Sequence, residues 1–366
     1  MAKYKRQKVK RYRRSFYSRG TRIKKGIGIV VLVLAVLGAA WLAAPHVLDW
    51  ATHTWYTVVK NRDLEAESAS RAAASSEAAA SSAVQEAASS QPEPEQPKEL
   101  DGKAITGGNW AAVDVSTLAD DAAIRAAAQQ LKAQGADYGL VTLKDADGSI
   151  HYASQVAAAS GSVAGTAVDP ARIAAIFREE GIIPAAQLAA FTDPVSGYTD
   201  RSMAVHYSGT QLWLDNVSAK AGGKSWLDPS AASAVQYVGD LIEELHGMGF
   251  EQVVLTGVQF PNIITRKQEF AAAGGKSQEG RAALLAADIS TWQARFDGSV
   301  VLWLSYPAQQ CTDASDALGA PAVNLGMHNL IVTADTLDAA ARGQLQQSAA
   351  EAGVQNVVIC STESFQ

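Results

Sequence analysis

The sequence predicts an α/β fold of the TIM-barrel type for residues 104–366, preceded by one transmembrane helix and a low-complexity stalk. Two observations predict the barrel: short apolar strands alternate with longer helical runs, and a glycine closes each helical run just before the next strand. A length of about 260 residues arranged in this way is typical of a parallel β/α barrel. A third observation, an uncharged run near the amino terminus, predicts the membrane helix.

The amino-terminal segment, residues 1–25, is strongly basic. It carries twelve Lys or Arg and no Asp or Glu, so taking these from the chain's 31 basic residues leaves 19 against 37 acidic ones, a net charge of −18. Interleaved Tyr and Arg can grip phosphates and stack on bases, which is one use for such a segment. The apolar run that follows favours a cytoplasmic segment beside a membrane instead, with no nucleic-acid partner.

Residues 26–48 contain no Asp, Glu, Lys or Arg, and the run GIGIVVLVLAVLGAAWLAA is long enough to cross a bilayer core of ~30 Å. Because Lys and Arg stay on the cytoplasmic side of such helices, we expect a single-pass protein of the cell membrane with its amino terminus inside. A cleaved signal peptide is the alternative, since Gly38 and Ala40 form a small-x-small site. The long basic region and the apolar run beyond that site favour a retained signal anchor.

Residues 49–103 are predicted to be an extracellular stalk. From residue 66 onward the stalk is dominated by Ala, Ser, Glu, Gln and Pro, which leaves almost nothing to bury. Its Ala-rich half favours transient helix and its QPEPEQP half favours polyproline II. Such a segment would hold the folded domain away from the membrane.

Seven strands are predicted in the folded part, one fewer than the eight of a complete TIM barrel, so the barrel is expected to be incomplete. They lie in the runs NWAAVDVS (109–116), DYGLVTLK (137–144), IIPAAQLAAF (182–191), FEQVVLTGVQF (250–260), SVVLWLSY (299–306), NLIVTAD (329–335) and VQNVVICS (354–361). Function in such a barrel sits at the carboxyl ends of the strands. Side chains at those ends are therefore the candidates for a site.

Four stretches stand in the order and spacing of one known family. They are VTLKDADGSIHYAS (141–154), AAFTDP (189–194), LWLD with SWLDP (212–229) and GFEQVVLTGVQFP (249–261). They resemble VIDVKDDDGYITY, VFKDP, W-D with WVDP, and GFDEIQFDYVRFP of the putative glycosyl hydrolase domain family, whose fold is a TIM barrel related to α-amylase-type hydrolases. The resemblance covers most of residues 109–262, and it implies a carbohydrate groove at the barrel mouth.

The chain departs from the family pattern where the chemistry is expected. The family's fourth strand ends in Asp-Tyr-Val-Arg, whereas this chain has Thr256, Gly257, Val258 and Gln259, and Thr142 stands in place of the Asp of VIDVK. Glycosidases usually need two carboxylates about 5–9.5 Å apart, one to protonate the leaving oxygen and one to attack or to activate water. A hydroxyl replaces neither, so the strands are expected to keep the barrel wall without its chemistry.

Other acids near the predicted upper loops are the alternative catalytic candidates, namely Asp114, Asp145, Asp193, Asp228 and Glu363. Each also has a structural interpretation. Asp145 lies in KDADGS, where Asp and Gly commonly build a turn, and Asp193 and Asp228 precede proline, where Asp commonly caps a turn or helix. The substrate-binding candidates are the polar residues Lys144, Thr256 and Gln259 and the aromatic residues Trp213, Trp226, Trp303 and Tyr306. The aromatic rings can stack on sugars or pack in the core.

Several other chemistries are disfavoured, and no cofactor or nucleotide is expected. GGKS (274–277) resembles part of a P-loop, but Phe270 stands where the first glycine of that motif is required. The six histidines are scattered, and no Cys and His spacing indicates a metal site. Cys311 and Cys360 follow the fifth and last strands, and a disulfide between them remains open.

Three functions remain. The first is a membrane-anchored, surface-exposed barrel that binds cell-envelope or extracellular polysaccharide with little or no hydrolysis. The second is an active glycoside hydrolase that uses relocated carboxylates. The third is an envelope scaffold that binds protein partners through its acidic surface, which has 15 bases against 27 acids over residues 102–366. Fold alone does not decide among them.

Overall fold

A computed structural model describes residues 108–156, 159, 161–262 and 267–362. The predicted cytoplasmic segment, transmembrane helix and stalk lie outside the described residues, as does Glu363. Within the described part of the chain, no helix combines the length and the apolar character needed to cross a membrane.

The described elements alternate strand and helix, as the sequence predicts. In chain order they are β1 (Trp110–Val113), α1 (Asp121–Ala133), β2 (Tyr138–Lys144), β3 (Ile150–Tyr152), β4 (Val163–Val168), α2 (Pro170–Glu179), β5 (Ile183–Ala189), α3 (Ser196–Thr199), β6 (His206–Ser208), β7 (Gln211–Leu212), α4 (Ala232–Gly247), β8 (Gln252–Thr256), α5 (Gln278–Arg295), β9 (Val301–Pro307), α6 (Ala308–Thr312), β10 (Asn329–Thr333), α7 (Ala339–Glu351) and β11 (Asn356–Cys360). Short 3₁₀ turns lie between some of them.

Helix boundaries follow local chemistry. Asp120, Asp169, Ser277 and Asp338 each accept a backbone N–H from the first turn of a helix, which satisfies one of the free donors there. The predicted glycine stops are confirmed: five described helices are followed by a glycine with φ between 71° and 101°, a region that only glycine enters easily, at Gly135, Gly181, Gly249, Gly298 and Gly353.

The sheet has nine strands and is mostly parallel. Seven of them, β1, β2, β5, β8, β9, β10 and β11, are parallel neighbours in the order of the chain. Each lies within a predicted run, except that β9 extends one residue beyond its run, to Pro307. The sequence missed β3 and β4, which extend the sheet beside β2, and the separate hairpin of β6 and β7. The predicted α/β class and the parallel strand order are confirmed.

The two faces of the sheet bury two different cores. One lies between the strands and the helices, and it includes Leu131, Phe177 and Trp292. The other is a compact cluster with members from all seven parallel strands: Trp110, Tyr138, Leu140, Ala185, Val254, Trp303, Ile331, Val358 and Cys360. We call this second face the inner face of the sheet.

The sheet is strongly curved around the inner face. The ring of Trp110 on β1 stacks on Tyr138 and meets the ring of Trp303 on β9 edge-on, with 5.4 Å between centroids. In a flat sheet, strands four places apart would be separated by about 19 Å, at roughly 4.8 Å per strand. Among the described residues, however, β1 and β11 do not pair with each other, so closure into a barrel stays a prediction.

Candidate functional site

The carboxyl-terminal halves of the central strands present uncharged polar side chains on the inner face. Successive residues of a strand point to opposite faces, so the position two beyond an inner-core residue is again on the inner face. This rule places five residues there: Thr142, Gln187, Thr256, Ser305 and Thr333. None of the seven parallel strands contains an Asp or Glu.

The register brings these side chains close together. Thr142 pairs with Gln187 across β2 and β5, and Ala189 pairs with Thr256 across β5 and β8. The Oε1 atom of Gln187 is buried and has no hydrogen-bond partner among the described residues. The inner mouth therefore offers hydroxyls and an amide, which can bind polar groups but do not exchange protons near neutral pH.

Two of the predicted site residues, Lys144 and Asp193, are bound to each other in the interior. The Lys144 ammonium donates to the carbonyl of Ala189 at 2.6 Å and lies 3.0 Å from Asp193 Oδ2, with side chains only 1% and 0% exposed. The contact to Oδ2 lacks hydrogen-bond geometry and is a charge contact. Asp193 Oδ1 accepts the backbone N–H groups of Val195 and Ser196. Both residues therefore hold the loop after β5 against β2.

Asp145 builds the turn after β2. Its Oδ1 accepts the N–H groups of Asp147 and Ser149, and its Oδ2 lies 3.0 Å from His151 Nε2. Burial acts to raise the pKa of Asp145, but the hydrogen bonds from His151 and these amides outweigh it and leave that pKa below its ordinary value. A carboxylate held ionised in this way is a poor general acid.

Asp114 follows β1 and caps a short 3₁₀ turn. Its side chain is exposed and accepts the backbone N–H of Ser116 at 2.9 Å, a bond that lowers the pKa of Asp114. The residue therefore has the structural role that Asp commonly takes at such a turn.

Asp228 is buried and fully engaged. One oxygen accepts from both the N–H and the hydroxyl of Ser230, and the other accepts the N–H of Ala271 at 2.6 Å. Burial raises the pKa of Asp228, and these bonds offset the rise only in part. The carboxylate joins the loop after β7 to the loop after β8.

The sequence interpretation missed a buried acid on α5, Asp288. It stands in the apolar stripe of the helix formed with Leu285, Ile289 and Trp292, so its place in a helical period of buried positions was the available signal. Burial, and secondarily the charge of Asp228, raises the pKa of Asp288 to about 8. Its neighbours in the stripe belong to the core between strands and helices, so Asp288 faces away from the inner mouth.

The structure brings two predicted aromatic residues, Trp213 and Trp226, together in a surface pocket of about 330 Å³. The pocket is lined by Trp213, Asp215, Asn216, Gly222, Trp226 and Asn262. Its two tryptophans belong to the segment after β7. Asn262 belongs to the loop after β8, which also contains Gln259. Trp226 donates its indole N–H to Asp215 Oδ2 at 3.0 Å. Trp213 is buried, with 6% of its surface exposed, so the aromatic face beside the carboxylate and amides comes mainly from Trp226. Such a face is suited to sugars.

Two other aromatic candidates are not available for stacking on a sugar. Trp303 has no exposed surface, belongs to the inner core and donates its indole N–H to Gln252 at 2.7 Å. Tyr306 is equally buried on the opposite face, and its hydroxyl donates to the carbonyl of Val258. Both side chains serve packing, and neither lines the pocket.

The remaining polar candidates, Thr256 and Gln259, lie at and just beyond the end of β8 and are partly exposed. Cys311 and Cys360 are free and buried, and burial raises the pKa values of their thiols to about 12 and 11. The described residues contain no group of three or more His, Cys, Asp or Glu placed to hold a metal ion.

The sequence of these strands matches a known family. One family, described as a putative glycosyl hydrolase domain, matches residues 113–301, which is half of the chain. The chain belongs to this family. The match takes in five of the seven parallel strands in whole or in part, β1, β2, β5, β8 and β9, together with the pocket.

A search of the curated proteins found no match. Among solved structures, the chain is similar to a hypothetical protein from Ruminiclostridium thermocellum, with 21% identity and a TM-score of 0.45 over 53% of this chain and 96% of that one. It is also similar to an α-galactosidase from Thermus thermophilus in complex with p-nitrophenyl α-D-galactopyranoside, with 13% identity and a TM-score of 0.42. That likeness covers 70% of this chain and 51% of the α-galactosidase. A cycloalternan-forming enzyme from Listeria monocytogenes, in complex with a pentasaccharide substrate, is 12% identical with a TM-score of 0.44, over 69% of this chain and 25% of that one.

The end of β8 differs from the family pattern in its backbone conformation as well as in its charge. Gly257, which stands where the family pattern has Tyr, has φ +61°, and a Cβ there would lie 2.4 Å from Thr192 Oγ1. Thr192 in turn stands where VFKDP has Lys. A side chain at position 257 is therefore disfavoured in two ways, by strain of the backbone conformation and by contact with Thr192. The family's Asp-Tyr-Val-Arg end does not fit here without rearrangement of the neighbouring loop.

Proposed function

We propose that this member of the family is a membrane-anchored, surface-exposed glycan-binding domain with little or no hydrolytic activity. Its expected ligand is a cell-envelope or extracellular polysaccharide. The observation that carries the proposal is the inner mouth of the sheet, where Thr142 and Thr256 replace the family's carboxylates and no parallel strand carries an acid.

The proposed lack of hydrolysis rests on the pair of carboxyl groups that glycosidases require. A glycosidase places one carboxylic acid and one carboxylate on either side of the scissile bond. The described candidates Asp114, Asp145, Asp193 and Asp228 all accept backbone N–H groups from turns, loops or helix starts. These bonds give each carboxylate a structural role in its own turn or loop. An active hydrolase with relocated carboxylates is thus the less favoured alternative.

The proposed glycan binding is supported by the surface pocket that contains Trp226. Trp226 is partly exposed, and its ring is fixed by the bond to Asp215. A preorganised aromatic face loses little entropy when it stacks on a sugar ring. We also propose that the curved sheet closes as an incomplete barrel of the TIM type, with this pocket beside its mouth.

Membrane anchoring rests on the sequence alone. The uncharged run of residues 26–48 and the twelve basic residues before it favour a retained single-pass helix with the folded domain outside the cell. A polysaccharide of the envelope would then lie within reach of the domain. A scaffold that binds protein partners is the other alternative.

A glycan-array screen of the full-length chain in detergent micelles tests the proposal. We expect binding to one or more polysaccharides, lost in Trp226→Ala and kept in large part in Trp226→Phe, which preserves an aromatic face without the indole N–H. Absence of binding to any glycan would move the assignment to a scaffold. Equal binding by wild type and Trp226→Ala would place the glycan elsewhere on the domain.

A further inference from the structure

The pocket between Trp213 and Trp226 has a single charged lining residue, Asp215. Its Oδ1 accepts the backbone N–H of Lys224 at 2.7 Å, and its Oδ2 accepts the indole N–H of Trp226 at 3.0 Å. Because each carboxylate oxygen has two acceptor positions, one on each oxygen is left for a ligand donor. The carboxylate is thus fixed in place and still able to accept hydrogen bonds.

The ammonium of Lys224, whose backbone contacts Asp215, does not neutralise this carboxylate. Lys224 offers Asp215 only its backbone, while its ammonium forms an ion pair with Asp147. None of the six lining residues is Lys, Arg or His. Among these six described lining residues, Asp215 supplies the one formal charge, and that charge is negative.

The amide of Asn216 is already occupied by the protein. Its Oδ1 accepts the N–H of Val217 and its Nδ2 donates to the carbonyl of Ala221. The Asp215 carboxylate is therefore the charged acceptor beside the indole rings, while the amide of Asn262 offers a ligand both a donor and an acceptor. A donor on the ligand is therefore favoured beside Asp215, and an acidic group there would face a like charge.

We propose that this pocket selects sugars without acidic groups and prefers an amino sugar whose amine is free and protonated. The inference rests on the proposed glycan binding and adds the chemical class of the ligand. An ammonium group would donate to Asp215 in a charge-assisted bond and could also lie over an indole face. A neutral sugar would use hydroxyl donors to the same oxygens, and uronates or sulfated sugars would be repelled.

Three tetrasaccharides test this inference against the full-length chain in micelles: β-1,4-linked glucosamine, β-1,4-linked N-acetylglucosamine and α-1,4-linked galacturonate. Binding is followed by tryptophan fluorescence at low and high salt. We expect the glucosamine tetramer to bind about tenfold more tightly than the N-acetylated one, as a charged hydrogen bond allows. The galacturonate should bind most weakly, and added salt should reduce the spread, since salt screens partly exposed charges.

Asp215→Asn supplies the decisive variant, because it removes the charge and keeps an acceptor oxygen of similar shape. We expect the preference for glucosamine to fall to less than about threefold while the N-acetylated tetramer still binds. Asp313→Asn, the same charge change on an exposed residue outside the pocket, should leave the ranking intact. Unfolding midpoints of both variants check that the fold is kept.

The outcomes separate the two proposals. Galacturonate binding as tight as that of the other tetramers, or a glucosamine preference unchanged in Asp215→Asn, would overturn the inference about the pocket and leave glycan binding standing. If no tetrasaccharide or array glycan bound, the proposed function would fall and the inference with it.

Discussion

The ammonium of Lys144 lies 3.0 Å from Oδ2 of Asp193, and both side chains are buried beneath the turn that contains Gly148. These two residues were candidates for substrate binding and catalysis. In the structure each neutralises the other, so the pair holds the loop after β5 in place. Removal of one partner leaves an uncompensated charge in the interior.

Asp193→Asn should therefore act on stability. We expect it to lower the free energy of unfolding by about 3 kcal/mol, because the Lys144 charge stays buried without its partner. Urea unfolding followed by tryptophan fluorescence measures the change. Asp147→Asn in the same turn removes an exposed ion pair with Lys224 and should cost no more than about 1 kcal/mol. A cost for Asp193→Asn as small as that of the control would show that the pair is not structural.

A substitution at Gly257 tests whether the end of β8 restricts this position to glycine. Gly257→Ala should destabilise by about 1–3 kcal/mol, since alanine is strained at φ +61° and its Cβ would meet Thr192. Gly209→Ala is the matched control, because Gly209 also has φ +61° but has open space around it. The difference between the two variants in urea unfolding isolates the steric part. Equal effects would mean that Thr192 does not restrict this position.

Asp288 predicts a dependence of stability on pH. Its pKa of about 8 lies above the value of roughly 3.9 that is usual in an unfolded chain, so the folded state holds a proton that the unfolded state releases. This group's contribution to stability is therefore full below about pH 4 and is lost as the pH rises toward 8. Asp288→Asn removes that loss, so its melting temperature should gain on wild type steadily from pH 5 to pH 8. Asp297→Asn, an exposed acid just after α5, should show no such trend.

The proposed membrane anchor predicts what happens to the domain on intact cells. Protease added outside should remove the folded domain, because in the proposed topology the basic residues before residue 26 keep the amino terminus in the cytoplasm. Immunoblotting of the shaved cells measures this, with a cytoplasmic protein as the control for lysis. Recovery of the whole protein in a wash, with a new amino terminus near Trp41, would indicate cleavage of a signal peptide instead.

The sequence predicted the parallel strands because their signal is local. An apolar run after a glycine that ends a helix is readable from the chain, and five of the seven strands, β2, β5, β8, β9 and β11, follow such a glycine. The β6 and β7 hairpin was missed because its strands are three and two residues long and partly exposed. Such short pairs depend on the surrounding loops more than on their own pattern.

The site was harder to predict, because both faces of these strands are buried. Period-2 alternation does not tell an inner from an outer position when both are apolar, so Trp303 was placed at the mouth although it packs against Trp110. Asp215 was quoted in LWLD without a role, since only the fold brings it to Trp226. The structural roles of Asp145 and Asp193, in contrast, were foreseen from turn chemistry.

The central claim, binding without hydrolysis, is tested most directly by measuring reducing-end release from whichever glycan the full-length wild-type chain binds. We predict no release above that of the Trp226→Ala variant, and none from Thr256→Asp either, because the second acid and the family's arginine, replaced by Gln259, are still missing. Sustained release by the wild-type chain, with many turnovers per molecule, would contradict the account and show that carboxylates outside the parallel strands perform the chemistry.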